Sequence, residues 1–291
     1  MDMTQNKCCR HGANLRRRRR RRRKILRSII FSCSIIAVAV FVAVGSSMIR
    51  SGDGKTNRYD VEAGNNTYDN AVIENSKISG KNKIQNNQSM LDDIMNSTQY
   101  PKQLKDLALK NEEALEFVYD YPAEHVKEHT IDLTEEASMD SVPLFVQWDK
   151  RWGYEKYSGN FFAASGCGPT TLSMVVVYLT HNREASPIAV AKYSKEAGYS
   201  VDGSGSSWTL ISEGCMHYGV KAKAVALDES RMKAELDAGH PIVINVGPGD
   251  FTDTGHFMVI TGYDDEGFSI NDPNSIEKSG KRWLFKNISS Q

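Results

Sequence analysis

A chain of 291 residues, 40% hydrophobic and 25% charged, has room for one ordinary globular domain with appendages. Its formal net charge of zero conceals a division: residues 1–27 hold twelve basic groups against the single acid Asp2, and the remainder holds 24 basic and 35 acidic groups. That asymmetry points to different environments for the two parts, and the five cysteines, only Cys167 and Cys215 of them beyond residue 49, do not imply a disulfide framework.

The first 27 residues read as a cytoplasmic basic tail. Residues 28–49 carry no charge and are rich in Ile, Val, Ala and Phe, which meets the roughly 20 residues a helix needs to cross a bilayer. The run Arg16 to Arg23 stands just before this stretch, where basic residues are retained inside, so the rest of the chain is expected outside a cell membrane that it crosses once. The arginines abut an apolar segment of spanning length, which disfavours a nucleic-acid tail. Cleavage of a signal sequence near Gly45, leaving a secreted protein, is the alternative, although the apolar region exceeds the usual signal-peptide length. Cys8 and Cys9 read as free cytoplasmic thiols. Residues 50–97, rich in Asn, Ser, Lys, Gly and Asp, read as a flexible stalk.

Residues 98–141 form a helical lead-in segment. From Pro101 to Tyr119, Leu104, Leu107, Ala108, Leu115, Phe117 and Val118 recur on one face, which predicts a helix stopped before Pro122 and packed on the downstream domain. Next, His125, Glu128 and His129 spell H-x-x-E-H, the zinc-peptidase spacing. Its polar flanks and its place after a helix-ending proline favour a solvated loop, and no metal or other cofactor is expected.

The informative part begins at Val142. Cys167-Gly168-Pro169 precedes a long apolar run, so Cys167 is expected at the N-terminus of a buried helix, where unpaired N–H groups favour thiolate. The flanking glycines are expected to admit a substrate backbone. A helix is predicted from Ser186-Pro187 to about Glu196, a second from Ser207 to Tyr218, and a third capped by Asp228 and ending before Gly239. Strands are predicted over Ala222 to Ala226, Pro241 to Val246 and Arg282 to Phe285. His256 begins an apolar strand, a turn falls at Asp264 to Gly267, and Phe268 to Asn271 form the returning strand. The hairpin brings the start of one strand beside the end of the other, which makes His256 and Asp272 neighbours. Asn271 alternates to the opposite face. Gly203 to Gly205 lack the ending of a phosphate loop. Cys215 and His217 fall within a predicted helix as packing or surface residues, and Trp208 is read either as lining the cleft or as packing. There are no internal repeats.

Cys167-Gly168-Pro169, Gly255-His256 and Asn271-Asp272-Pro273 together resemble the C39-like subgroup of papain-like cysteine peptidases over Val142 to Trp283. The resemblance implies an α+β papain-like fold for residues 142–291, a helical lobe plus an antiparallel sheet, preceded here by one transmembrane helix. It also implies that Gln147, 20 positions ahead of Cys167, donates to an oxyanion. The expected function is a membrane-tethered extracytoplasmic thiol hydrolase that cleaves peptide or amide bonds with Cys167, His256 and Asp272. Acyl transfer by the same residues and a non-catalytic peptide-binding module are the alternatives. The substrate is expected to be a peptide or a cell-wall peptide, with no nucleic-acid partner, and the oligomeric state is left open.

Overall fold

The computed structural model describes residues 37–41 and 83–291. In chain order, the elements that matter for the site are strand β1 (Ala37–Phe41), helix α1 (residues 83–96), α2 (Lys102–Lys110), α3 (Leu115–Tyr119), α4 (Cys167–Thr180) and α5 (Pro187–Glu196). They continue with β2 (Lys221–Val225), α6 (Glu229–Asp237), β3 (Ile242–Val246), β4 (His256–Asp264), β5 (Gly267–Asn271) and β6 (Arg282–Trp283). The strands make one antiparallel sheet in the order β6-β5-β4-β3-β1-β2.

Apolar residues cover the central strands on both faces. Val243 of β3 and Phe257 and Val259 of β4 pack with Leu172, Val175 and Val176 of α4. Their neighbours Ile242, Ile244, Met258 and Ile260 pack instead with Met232 of α6, Phe268 and Ile288. The strand period of two thus feeds two cores, which explains why β3 and β4 read as continuous apolar runs. Helix α4 is buried at every residue from Gly168 to Val177, as a helix apolar on all sides must be. Helices α5 and α6 start where their caps predict: Ser186 Oγ accepts from the Ala189 N–H at 3.3 Å, and Asp228 accepts from the Arg231 N–H at 3.0 Å.

Four expectations differ from the fold. First, Ala37–Phe41, in the middle of the stretch read as a spanning helix, are extended and pair with both β2 and β3. Among the described residues no helix is long and apolar enough to cross a membrane, and the rest of residues 28–49 lies outside the described residues. An uncharged Ala-Val-Ala-Val-Phe segment satisfies hydropathy equally as a central strand, and its β-branched residues favour that use. Second, residues 83–96, assigned by composition to the stalk, are helical, and Ile94 is fully buried; residues 50–82 lie outside the described residues. Third, the helix expected from Pro101 to Tyr119 breaks at Asn111, which is extended (φ −135°, ψ 99°) and whose side chain accepts from the Glu113 N–H. A short polar side chain that bonds its own backbone competes with helix continuation. Fourth, the helix expected over Ser207 to Tyr218 is a short α turn, Thr209–Ser212, followed by a 3-10 stretch, Gly214–Tyr218. The break falls where Gly214 meets Tyr199 and Leu210 so closely that a Cβ would stand 3.0 and 3.2 Å from them.

The lead-in segment is part of this architecture. Ile94, Leu104, Leu107, Phe117 and Val118 share a core with Phe161 and Ala163, just ahead of α4. The Phe117 and Tyr154 rings stack at 4.2 Å, and the Tyr154 hydroxyl donates to the Phe117 carbonyl at 2.8 Å.

Candidate active site

Cys167 is the first residue of α4, and Pro169 sits in the first turn, where an absent N–H costs nothing. The glycines on either side are required by packing. A Cβ on Gly166 would lie 2.6 Å from the Phe162 ring, and one on Gly168 would lie 2.6 Å from Ser206 Oγ. The thiol itself is half-buried.

His256 opens β4 opposite Val246 of β3. The chain then turns at Asp265 and Glu266 and returns as β5, the pairing ending with Asn271 opposite Val259. Gly267 makes this return possible: its φ is +139°, and a Cβ there would stand 2.7 Å from the Trp283 carbonyl oxygen. Asp272 follows directly, fully buried, and its Oδ1 accepts from His256 Nε2 at 2.6 Å and from the Asn274 N–H at 2.8 Å. With Nε2 so engaged, Nδ1 is left for the thiol, and His256 and Cys167 line the same cleft. Asn271 faces elsewhere and donates to the Val142 and Pro143 carbonyls at 3.0 and 3.1 Å.

Electrostatics follow from this arrangement. Burial alone would push the Cys167 thiol up, but the hydrogen bond and charge of His256, with the Phe257 and Gly168 N–H groups, outweigh it and bring the thiol below its ordinary value. Burial likewise opposes the charged form of His256; the Asp272 carboxylate and the Cys167 sulfur outweigh it and raise the ring to about 10. The pair therefore favours thiolate and imidazolium over thiol and imidazole.

Gln147 is buried beside them. Its Nε2 donates to the Ala163 carbonyl at 2.8 Å and to Asn274 Oδ1 at 3.3 Å, and its own N–H donates to the Pro273 carbonyl at 2.7 Å. Cys167, His256, Gln147 and Asn274 face one cleft of about 500 Å³, walled on one side by Gly249 to Gly255 and on another by Gln103, Leu107 and Asn111. All four sequence candidates are thus brought into one neighbourhood. Asn274 and the α2 wall are additions. Asn274 lies two positions past the Asp272 candidate, yet nothing in its residue type marks it, and the wall comes from a segment with no chemical motif.

Other candidates take structural places. His125 and His129 lie outside the helical turn Tyr121–Glu124, each against a backbone carbonyl, Tyr121 O at 2.5 Å and Glu124 O at 3.1 Å, so the H-x-x-E-H spacing does not put two ligands on one helix face. Trp208 stacks on Phe257 at 5.5 Å and packs against the core. Cys215 is buried in that core, and burial raises its thiol. His217 stacks on Tyr193 at 4.0 Å.

A histidine and a cysteine on one cleft at the junction of a helix and an antiparallel sheet, with a buried carboxylate behind the histidine, are the side chains that nucleophilic thiol chemistry uses. The model of the Peptidase_C39 like family matches residues 139–290, just over half of the chain, and the chain belongs to that family. A search of curated proteins and one of solved structures each found no match. Membership supports a cysteine peptidase-type hydrolase at the level of the family.

Proposed function

We propose that this protein hydrolyses peptide or amide bonds with Cys167 as nucleophile, His256 as general base and acid, and Asp272 as the group that orients the ring. The observation that carries the reading is that Cys167 and His256 face one cleft while Asp272 holds the far side of the ring at 2.6 Å. The thiolate attacks the substrate carbonyl carbon and the C=O electrons move to oxygen. The imidazolium then protonates the departing amine as the C–N bond breaks, leaving a thioester. Neutral His256 next takes a proton from water, the hydroxide displaces sulfur, and the acid leaves with the thiolate–imidazolium pair restored. Gln147 supports the oxyanion in this reading: its longer bond, to Asn274 Oδ1 at 3.3 Å, is the one that yields so that Nε2 can donate to substrate oxygen.

The cleft is open and lined by polar groups, which suits an extended peptide, including one from the cell wall. The full-length protein, incubated with a peptide library and with purified cell wall, is expected to release new amino termini. Cys167→Ala should release none, and equal release by both forms would defeat the assignment.

The proposed address is extracytoplasmic and membrane-tethered, supported by the arginine run ahead of an uncharged stretch of spanning length. In that state Ala37–Phe41 cross the bilayer instead of pairing as β1, because the same residues cannot do both. Protease added to intact cells is expected to remove the domain and spare the basic tail; a domain protected until lysis would refute the placement.

A further inference from the structure

We propose that Asn111 and Glu113, which lie outside the family-matched residues, are positioning residues that hold the loop from Asn274 to Glu277 where Asp272 can meet His256. The inference rests on the proposed roles of those two residues and extends them to a segment more than 150 positions earlier in the chain.

The break between α2 and α3 delivers both side chains to that loop. Asn111 Oδ1 accepts from the Glu113 N–H at 3.0 Å and so fixes the turn, while its Nδ2 donates to Asn274 O at 2.9 Å and to Asn274 Oδ1 at 3.0 Å. Glu113 accepts from the Ile276 N–H at 2.7 Å, the Glu277 N–H at 3.0 Å and the Ser275 hydroxyl. Three donors on one carboxylate and two acceptors on one amide make a clamp over consecutive residues, with an ionised group in three of the five bonds.

The far side of the clamped loop is the site itself. The Asn274 N–H donates to the same Asp272 Oδ1 that receives His256 Nε2, and Asn274 Oδ1 receives Gln147 Nε2. Asn274 is therefore bonded at once to the lead-in segment, to the orienting carboxylate and to the oxyanion candidate. If Asn111 lets go, Asn274 keeps only the weaker Trp148 Nε1 donor on its carbonyl, at 3.3 Å, and the Asn274 N–H that sets the angle of Asp272 Oδ1 is held less firmly. The break at Asn111, which interrupts an otherwise continuous amphipathic pattern, has its use here.

The test measures site-resolved alkylation of Cys167 by iodoacetamide in the full-length chain across a pH series, with Cys215 as the internal reference and Tm measured alongside. Asn111→Ser keeps an oxygen to cap the turn but removes the donor, and Glu113→Gln removes the charge with little change of shape. Each is expected to move the Cys167 profile toward that of a free thiol and to slow labelling on its acid side roughly fivefold, the scale of one hydrogen bond. If Asn111→Ser fails to fold, Glu113→Gln carries the same comparison. A lowered Tm with an unmoved profile would overturn the proposal, because the clamp would then serve stability alone. A wild-type profile already like that of a free thiol would defeat the proposed chemistry itself, and the positioning role with it.

Discussion

Replacing Asp272 by Asn separates charge from shape at the one fully buried carboxylate of the site. The amide can present its oxygen to His256 Nε2 and to the Asn274 N–H, the two donors that Oδ1 now receives. Its NH2 must then occupy the position of Oδ2, a buried atom with no partner among the described residues. The substitution has two costs. A hydrogen bond to a charged group contributes about 1.5–3 kcal/mol, so its reduction to a neutral bond removes up to that amount from the imidazolium. At about 1.36 kcal/mol per pH unit, the ring should titrate lower by at most about 2 pH units, and the thiol correspondingly higher. The stranded NH2 should lower folding stability by about 1–3 kcal/mol. Alkylation of Cys167 against pH reads the first effect, and denaturant unfolding reads the second. Turnover should fall less than in Cys167→Ala, since an orienting group is partly replaceable and a nucleophile is not. An unchanged alkylation profile in a folded Asp272→Asn protein would refute the claim that the carboxylate sustains the ion pair.

Hydrolysis should follow a bell in kcat/KM: the acid limb falls where the depressed Cys167 thiolate is protonated, and the basic limb near about 10, where His256 loses the proton that the leaving amine needs. A fall that begins below neutrality on the basic side would contradict that order of titration. Gly168→Ala should cost about 1–3 kcal/mol of stability through overpacking against Ser206, whose Oγ and Cβ would lie 2.6 and 2.7 Å from the new methyl group. Adding Ser206→Gly should recover part of that loss in a double-mutant cycle, and strict additivity would show that the contact is not the cause.

The hairpin logic carried far in this chain because it depends on a period and a turn, both local. His256 at the start of a strand and Asp272 just past the end of the next are joined by pairing alone, and Asn271 is sent away by alternation. The buried helix behind Cys167 was legible for the same reason, as an apolar run too long for a strand and headed by Gly and Pro. Legibility failed where a side chain bonds to a distant backbone. The role of Asn111 at the end of α2 is hidden because its Nδ2 reaches Asn274, and no window of sequence contains both. Hydropathy also leaves two solutions open at Ala37–Phe41, since a bilayer and the centre of a sheet ask for the same uncharged residues. The helix over residues 83–96 is illegible in the sequence because only a few of its residues, Met90, Leu91 and Ile94, join the apolar core, too few to raise a sustained pattern above a polar background.

The boundary of the family match does not coincide with the boundary of the working unit. Residues 139–290 contain the thiol, the ring and the carboxylate, but Phe161 and Ala163 within them are buried against Leu104, Leu107 and Val118 from outside. Ala163 supplies the carbonyl that fixes Gln147 Nε2, so the apolar contact that seats Ala163 also bears on the oxyanion candidate. Gly153 repeats the point from the other direction: a Cβ on it would lie 2.7 Å from the Phe117 ring, a closeness that only a glycine tolerates. Removing everything before residue 139 would therefore expose an apolar face, take Leu107 from the wall of the cleft and release the loop that Asn111 and Glu113 hold. Apolar burial, cleft shape and loop position all end at the same segment, so the unit with a complete site reaches back at least to α1 and not merely to the first residue of the family match.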